Sequence, residues 1–517
     1  MTKQSFLRGT LILIAAGLIT RVLGFINRIV MARILGEEGV GLYMMAVPTF
    51  ILAITVTQMG LPVAIAKLVA EAEALHDKTR VKKILVVSLS ITLSLSFIFT
   101  IGLLFTAPML SQKLLTDSRT LYPLVAILPV VPVIAVSSVL RGYFQGKQNM
   151  KPSAYAQVIE QVVRIALIAF CIKIFLPFGI EYAAAGAMVS AAAGELVSLL
   201  YMLIIFQKQK TFSVRHRFFT TVKAGKDTLH SLMGIALPTT GSRIIGSLSY
   251  FLEPIAVTQS LAIAGVTAAV ATKQYGELTG YALPLLFLPS FITYALSTSL
   301  VPSVSEAVAK KQPHLVEYRL QQALRLSFIS GGWSVVILYI FASPILTLMY
   351  GTDHAAPFIQ LLAPCFIFYY FQGPLTSMLQ ALDLAKAAML NSLVGSAVKI
   401  AGIFLLASRS EFQIMGVALA IAAGLVTVTL LHYATVLKKI TFTIYARDYL
   451  LGVAAIFIAG MAGRLSETHP IFSSLGVQTL FSITSITLLY IVLLLVLGLI
   501  RKEELARIPF LHKLMRK

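Results

Sequence analysis

Charged residues are scarce in this sequence, and their scarcity excludes most soluble folds. Only 12% of the 517 residues are charged, whereas 58% are hydrophobic and the mean hydropathy is +0.87. A soluble domain carries about twice that share of charge. Apolar runs of about 20 residues recur along the chain, and each is long enough to cross a bilayer as a helix. The composition therefore predicts an all-α polytopic membrane protein with about fourteen transmembrane helices.

Cysteine and the motifs of soluble enzymes are equally sparse. The two cysteines, Cys171 and Cys365, fall in apolar segments and support neither a disulfide framework nor a metal site. The sequence has no Gly-rich phosphate loop, no HExxH motif and no CxxC pair. The predicted outer loops are short, whereas a membrane glycosyltransferase needs carboxylates or a metal site on a substantial loop. We therefore expect no enzymatic activity, no catalytic or metal-binding residue and no bound cofactor.

Basic residues are abundant, and their positions predict the topology. The predicted spans are 8–30, 42–66, 84–107, 121–140, 154–176, 183–206, 229–251, 279–301, 325–349, 358–381, 388–407, 414–437, 449–464 and 477–500. Most of the 42 lysines and arginines fall in alternate connecting segments, beginning with the N-terminal one. Basic residues accumulate on the cytoplasmic side of a membrane, so we predict that both termini are cytoplasmic. Topology thus explains the net charge of +21, and we expect no nucleic-acid partner.

Short matches recur in the same order in the two halves of the chain and indicate an internal repeat. The pairs include Thr20-Arg21-Val22-Leu23-Gly24 with Ser242-Arg243-Ile244-Ile245-Gly246, Leu128-Pro129 with Ala363-Pro364, Val163-Arg164-Ile165 with Val398-Lys399-Ile400, Gly186 with Gly416, and Gly194 with Gly424. Spans one to six are therefore predicted to repeat as spans seven to twelve, with spans thirteen and fourteen appended. Because six is even, both repeats cross the membrane in the same direction.

The repeat predicts the domain organisation. We expect an N-lobe over residues 1–206, a cytoplasmic linker over 207–228 and a C-lobe over 229–437. Residues 438–517 then hold helices thirteen and fourteen and a cytoplasmic tail.

A stripe of alternating small and cationic residues marks the first span. Gly17, Arg21, Gly24 and Arg28 are spaced four, three and four apart, so they share one helical face. Small residues allow neighbouring helices to approach, and arginines at membrane depth are costly unless they face protein or water. The repeat places Arg243 at the position equivalent to Arg21. We predict a cationic pocket between the lobes that binds a phosphate or diphosphate, although pairing with acidic side chains is the structural alternative.

A second set of charged residues lies in later spans. Glu160 and Arg164 are four residues apart on span five, which suits either an ion pair or a binding site. Lys399 is the repeat counterpart of Arg164, but Glu160 aligns with Gly395, so Lys399 is a candidate contact for an anion. Glu195 in span six is a candidate buried partner for these residues.

Glu253 closes span seven, just before Pro254. A carboxylate there can bind a coupling cation or proton, or it can simply cap an outer opening. We expect transport to be driven by such an ion or by the membrane potential.

Taken together, these motifs resemble the polysaccharide-exporter and MurJ-type branch of the MOP exporter superfamily. The resemblance covers the whole chain and is carried by Thr20-Arg21-Val22-Leu23-Gly24-Phe25, Met31-Ala32-Arg33-Ile34-Leu35-Gly36 and Met59-Gly60-Leu61-Pro62. It implies a bacterial flippase that moves an undecaprenyl-diphosphate-linked glycan, lipid II, across the cell membrane for spore cortex synthesis. It also implies two bundles that alternate between inward- and outward-open states. The partners implied are lipid II, membrane lipids and wall-synthesis enzymes.

The resemblance assigns substrate contacts to Arg21 and Arg28, and it breaks down elsewhere. Span two has no arginine, and the corresponding region of span eight reads Tyr275-Gly276-Glu277-Leu278, so Arg243 or Lys399 is expected to substitute. The alternatives are a flippase for another undecaprenyl-linked glycan, a multidrug/cation antiporter of the same fold and a non-transporting scaffold for wall synthesis. An antiporter predicts an acidic cavity, and a scaffold predicts that the cavity arginines are replaceable.

Overall fold

The computed structural model describes residues 6–210, 218–440, 443 and 445–500, with side chains from residue 15 onward except at 219, 238, 239 and 242. Its secondary structure is helical throughout these residues, as predicted. Residues 211–217 of the predicted linker and residues 501–517 of the basic tail lie outside the described residues.

The described chain forms two compact units. The first comprises residues up to Gly280 together with Ser408–Ile414. Its helices are α1 (Phe6–Gln58), α2 (Leu61–Ala74), α3 (Lys78–Met109), α4 (Leu121–Ile127), α5 (Val130–Gly146), α6 (Lys151–Phe175), α7 (Ile180–Gln209), α8 (Phe218–Lys223), α9 (Lys226–Ile263) and α10 (Ala268–Gly276). Short π-helical and 3-10 segments at Leu110–Leu114, Ser118–Thr120 and Leu176–Phe178 connect them.

The second unit comprises Tyr281–Ala407 and the chain from Met415 onward. Its helices are α11 (Leu283–Phe287), α12 (Ser290–Ala309), α13 (Pro313–Ile340), α14 (Ala342–Tyr350), α15 (Ala356–Ala381), α16 (Ala385–Ala407), α17 (Gln413–Leu437), α18 (Ala446–Thr468) and α19 (Leu475–Val496). These units are defined by packing rather than by the repeat, and the predicted lobe boundaries at 206 and 229 stay predictions.

Ten helical segments of the described chain are long and apolar enough to cross a membrane, or eleven if the bent pair Ala268–Phe287 and Ser290–Ala309 counts as one span. One of these segments, Ala15–Ala74, holds the first two predicted spans. The remaining predicted spans also coincide with helices, of which α6 and α9 carry charged residues near their centres. The chain is therefore a multi-pass membrane protein, and about fourteen spans are compatible with its helices.

Glycine and proline set the helix boundaries that the sequence placed imperfectly. Gly36 adopts a φ of 69°, which glycine tolerates because it lacks a Cβ, and this residue separates spans one and two within α1. The second span was predicted to run to 66, but it ends at Gln58 because Gly60 has a φ of 65°. Pro129 follows the end of α4, and Pro289 marks a 53° bend before α12, because proline removes a backbone donor.

The core of the first unit is a cluster of apolar side chains from α2, α3, α5, α7 and α9. Tyr143 and Phe144 of α5 are fully buried in it, and the Tyr143 ring meets that of Phe206 edge to face at 5.2 Å. A Cβ added to Gly142 would lie 2.8 Å from the carbonyl oxygen of Pro62. Glycine at this position thus allows α5 to pack directly on α2.

In the second unit, the appended pair α18–α19 covers α13. Tyr490 of α19 donates a hydrogen bond to the carbonyl oxygen of Ile329 at 3.0 Å, and Trp333 Nε1 donates to Thr487 Oγ1 at 2.9 Å. Buried Arg325 of α13 lies 4.0 Å from Asp448 in the first turn of α18. These polar contacts fix the appended helices at one face of the second repeat.

The internal repeat is confirmed by equivalent helix contacts. A Cβ on Gly194 of α7 would lie 2.7 Å from the Glu160 carbonyl oxygen and 3.5 Å from Arg164 Cβ of α6. A Cβ on Gly424 of α17 would lie 3.1 Å from the Gly395 carbonyl oxygen and 2.9 Å from Lys399 Cβ of α16. The residues that meet in one repeat are therefore the sequence counterparts of those that meet in the other.

Candidate functional site

The stripe on α1 faces open space. Arg21 is exposed, and a Cβ added at Gly17 would have no atom of another element within 4 Å. At Gly24 the nearest such atom is Gln161 Oε1, 3.9 Å away. Small residues were expected here because they let helices approach. At Gly24 the distance to Gln161 of α6 is an ordinary contact, whereas Gly17 has no such neighbour and leaves the space on its side of Arg21 unfilled.

The equivalent stretch of α9 has the same character. Arg243 is exposed, and neither Gly241 nor Gly246 has a neighbouring atom within 4 Å of an added Cβ. Helices α1 and α9 pack together in the first unit. Helices α1 and α9, which hold the first and seventh predicted spans, therefore each present an exposed arginine flanked by open glycine positions, an arrangement that can receive an anionic group.

Arg28 lies further along α1, close enough to act electrostatically on the hydroxyl group of Tyr250 of α9, as are Glu253 and Tyr43. Glu253 is buried, and it also acts on Tyr275 of α10. Arg28 and Glu253, which the sequence had assigned to separate roles, thus both act on the same tyrosine.

A largely buried cluster of four ionisable side chains joins α5, α6 and α7. Arg164 Nη2 lies 2.9 Å from Glu160 Oε1, which confirms the ion pair suggested by their spacing. Arg141 Nη2 lies 3.6 Å from Glu160 Oε2 and 3.7 Å from Glu195 Oε2. Glu160 and Glu195 are each 8% exposed, so both carboxyl groups are buried. We call Arg141, Glu160, Arg164 and Glu195 the ion cluster.

Sequence reasoning missed Arg141, because span four was predicted to end at residue 140. The helix instead continues to Gly146, which brings Arg141 inside it. The available signal was the pair Gly142 and Gly146, one helical turn apart. Both pack tightly on α2, where an added Cβ would lie 2.8 Å from the carbonyl oxygens of Pro62 and Ala66 respectively.

Lys399 belongs to the second unit. It is half-buried on α16, where its Cβ packs beside Gly424. The position one turn earlier is Gly395, and an added Cβ there would collide with Val428. At this position the second repeat therefore has an apolar contact, whereas the first repeat has the carboxylate of Glu160.

A second polar network, also absent from the sequence predictions, lies at the end of the first unit that is predicted to be outside. Arg119 binds Asp117 through Nε at 3.0 Å and Nη2 at 2.9 Å, and it binds Glu38 of α1 at 2.6 Å. Thr272 of α10 donates to Asp117 Oδ2 at 2.7 Å. Burial by itself raises the pKa of Asp117, but the hydrogen bonds from Arg119 and Thr272 outweigh it and hold the pKa below its usual 3.8.

The second unit also contains an apolar cavity of about 380 Å³. Its lining residues come from α13, α15, α17 and α18: Leu324, Phe328, Ile367, Phe368, Phe371, Leu375, Thr429, Leu430, Tyr433 and Tyr449. The rings of Phe328 and Phe371 are parallel, with centroids 6.2 Å apart. Such a cavity suits a hydrocarbon chain.

Comparison with known proteins places this architecture in a family. The family described as polysaccharide biosynthesis protein matches residues 6–308, more than half of the chain. The chain belongs to this family. Residues 277–405 also match the MatE family.

Curated relatives of the chain include stage V sporulation protein B of Bacillus subtilis (strain 168), which is 59% identical over 516 residues and fully covered by the alignment, as is this chain. Lipid II flippase MurJ of the same organism is 23% identical over 428 residues, covering 77% of this chain and 76% of that protein. These matches confirm the MurJ-type branch of the MOP superfamily that the motifs resembled.

Solved structures share the fold. A lipid II flippase MurJ in an inward closed conformation superposes with a TM-score of 0.70 at 16% identity, covering 94% of this chain and 99% of that one. An inward-facing multidrug resistance MATE transporter of the MOP superfamily gives a TM-score of 0.65 at 16% identity, covering 81% and 94%. The chain therefore shares the fold of these two solved structures.

Proposed function

We propose that this protein is a flippase that moves lipid II, the undecaprenyl-diphosphate-linked peptidoglycan precursor, across the cytoplasmic membrane for spore cortex synthesis. The observation that carries the proposal is the pair of exposed arginines, Arg21 and Arg243, on membrane-crossing helices whose neighbouring glycines leave open space. A guanidinium group stays charged when it is desolvated and binds phosphate oxygens through paired N–H donors. The name of one relative, lipid II flippase MurJ, supports the same substrate, and that of stage V sporulation protein B supports a role in sporulation.

In this proposal, the diphosphate enters from the cytoplasm and pairs first with Arg21 and Arg243. These positive charges lower the cost of moving an anionic head group through a region of low dielectric constant. Arg28, near the other end of the same stripe, receives the diphosphate later, and Lys399 is a further contact in the second unit. Movement of the two lobes then exposes the head group on the opposite side.

The prenyl chain needs an apolar surface while its head group crosses. The aromatic cavity of the second unit is our candidate, because it is lined almost entirely by apolar atoms. Of the appended helices, α18 contributes Tyr449 to the lining. In this proposal one end of the hydrocarbon chain occupies that cavity and the rest stays in lipid.

A cation antiporter of the same fold is disfavoured by the same arginines, because a cationic substrate would be repelled. The acidic groups of the first unit do not reverse this conclusion, since Glu160 and Glu195 lie beside Arg141 and Arg164.

The test is head-group translocation in proteoliposomes that contain fluorescent lipid II and an impermeant reagent that quenches the label. We expect wild-type protein to expose the label, and Arg21→Gln and Arg243→Gln to lose most of this activity. Arg33→Gln is the matched control, since Arg33 is exposed on α1 but lies off the stripe. Unchanged translocation in both variants would overturn the role of the stripe. Failure of the wild type, beside an active control flippase, would favour another undecaprenyl-linked glycan or the scaffold reading.

A further inference from the structure

We propose that Glu195 is a proton-binding site, with Glu160 as the acceptor of its hydrogen bond and Arg141 as the switch between the two carboxyl groups. Only the expected effect of the proton on translocation rests on the proposed transport function, because proton binding itself can be measured without transport.

The first argument is the uneven distribution of hydrogen bonds in the ion cluster. Glu160 receives a hydrogen bond from Arg164 at 2.9 Å and a longer one from Gln161 at 3.5 Å. Glu195 Oε2 is fully buried and has no hydrogen-bond partner among the described residues, and Arg141 Nη2 lies 3.7 Å from it. A buried carboxylate with an unsatisfied oxygen is costly in its ionised form. Of the two carboxyl groups, Glu195 is therefore the one that accepts a proton more readily.

The second argument is that the proton has a partner in place. The carboxyl groups of Glu160 and Glu195 are close enough to act directly on each other. A proton on Glu195 converts one of its carboxylate oxygens from a hydrogen-bond acceptor into an O–H donor, which can bond to Glu160. The same proton removes the charge that holds Arg141 midway, so Arg141 moves fully to Glu160. One proton is taken up by Glu195, and one hydrogen bond forms between the two carboxyl groups. Apart from the new O–H bond, no covalent bond forms or breaks.

The third argument concerns which ion the cluster takes. Two guanidinium groups lie within 4 Å of the carboxylates, so a metal cation would be repelled, whereas a proton binds to an oxygen atom directly. The side chains of Arg141 and Arg164 are 25% and 22% exposed, which gives water a route to the edge of the cluster.

The surroundings of Glu195 contain few other titratable groups. Among the described residues, the charged groups that act on it are Glu160, Arg141 and Arg164. Helix α1, which also packs on α6 and α7, approaches with Gly24 facing Gln161, one turn after Arg21. Helix α4 contributes Tyr122, whose ring pairs with Tyr182 of α7 at 4.5 Å.

The fourth argument is that the fold does not need these charges. The positions that correspond to Arg141, Glu160 and Glu195 in the second repeat are Thr376, Gly395 and Leu425. The same pair of helices nevertheless packs there through the same glycine contact. A buried cluster that packing does not require, and that contains an unsatisfied carboxylate, is a candidate functional group.

The test is infrared difference spectroscopy of the reconstituted protein during a pH change, which detects the carbonyl band of a protonated carboxyl group. We expect a band that is lost in Glu195→Gln and kept in Glu306→Gln, a control in which the glutamate is exposed and pairs with Lys310. Glu160→Gln should keep the band but change the pH at which it appears. A band that persists in a folded Glu195→Gln protein would overturn the proposal.

Its consequence for transport is tested by imposing a pH gradient on the same proteoliposomes. Wild-type translocation should change by up to about tenfold per pH unit, the limit for one titrating proton. Glu195→Gln should translocate at a rate that does not depend on the gradient, and equal dependence in both proteins would refute the coupling. A Glu195 band in a wild-type protein that moves no lipid would instead preserve the proton site and reject the flippase.

Discussion

The two repeats pack their fifth and sixth helices in the same way, yet they carry different charges. Gly194 on α7 and Gly424 on α17 make equivalent contacts, including one with the side chain of a cationic residue, Arg164 or Lys399. The first repeat buries two carboxylates beside its arginines, whereas the second has Gly395 and Leu425 at those places. The comparison indicates that the glycines are needed for helix packing in both repeats. The buried charges of the first repeat are not needed for that packing.

The largest expected difference between the repeats follows from removing the matched cations. Arg164→Met leaves the buried Glu160 without its closest partner, and breaking a buried ion pair costs about 3 kcal/mol. Lys399→Met should cost less, because Gly395 occupies the position of Glu160 and no carboxylate is stranded there. The midpoint of thermal unfolding in detergent measures both. Equal losses would show that the two cations have the same structural role.

The glycine contacts should instead respond alike. Gly194→Leu and Gly424→Leu each force a side chain into the neighbouring helix, which we expect to cost about 1–3 kcal/mol in both repeats. Gly17→Leu is the control, because it enters open space and should leave the unfolding midpoint nearly unchanged. If only one of the two leucine variants lowered the unfolding midpoint, the two glycines would correspond in sequence but not in packing.

A pair of aspartates sharpens the comparison at the predicted outer ends. Asp117 and Asp353 occupy corresponding positions, but Asp117 is buried and binds Arg119 and Thr272, whereas Asp353 is exposed and accepts from Ser343 at 2.6 Å. Charged hydrogen bonds contribute about 2 kcal/mol each. Asp117→Asn should therefore lower the unfolding midpoint more than Asp353→Asn does.

The same residue predicts a pH effect. Because the pKa of Asp117 is lower in the folded protein than its usual 3.8, its stabilisation is fully present above that pH. It is lost as the pH falls through the lower, folded-state pKa. A series of unfolding midpoints at decreasing pH should show this loss in the wild type and a smaller one in Asp117→Asn. Parallel curves would exclude Asp117 as the source.

The smallest expected effect concerns the appended helices, which cover only the second repeat. Thr487→Val removes the acceptor of the Trp333 hydrogen bond, at a cost of about 1 kcal/mol. Trp333 is the single tryptophan of the sequence, so its fluorescence reports the change directly. Thr484→Val is the control, since Thr484 bonds only within its own helix in the described contacts. An emission spectrum unaltered in Thr487→Val would contradict the docking contact.

Much of the fold could be predicted because hydropathy and glycine patterns act locally. The repeat matches at Gly186, Gly194 and Arg164 identified the residues that meet between helices. The ends of spans two and four were misplaced because a left-handed backbone at Gly60 stops one helix and a glycine contact at Gly142 lets the other continue. The contents of the ion cluster could be predicted only in part, since Arg141 reaches it from a helix whose length was underestimated.

The sequence by itself determined that this chain is a helical membrane protein built from a six-helix repeat. The length of each apolar run matches the thickness of a bilayer, and matching residues recur in the same order in both halves. The sequence also marked Arg21, Arg243, Glu160 and Arg164 as unusual, since charge at membrane depth needs a reason. Only the tertiary structure decided that Arg141 joins Glu160 and Glu195, that Arg28 and Glu253 both act on Tyr250, and that Gly17 borders open space. Those outcomes depend on the rotation and length of helices distant in sequence, and small differences in packing set both.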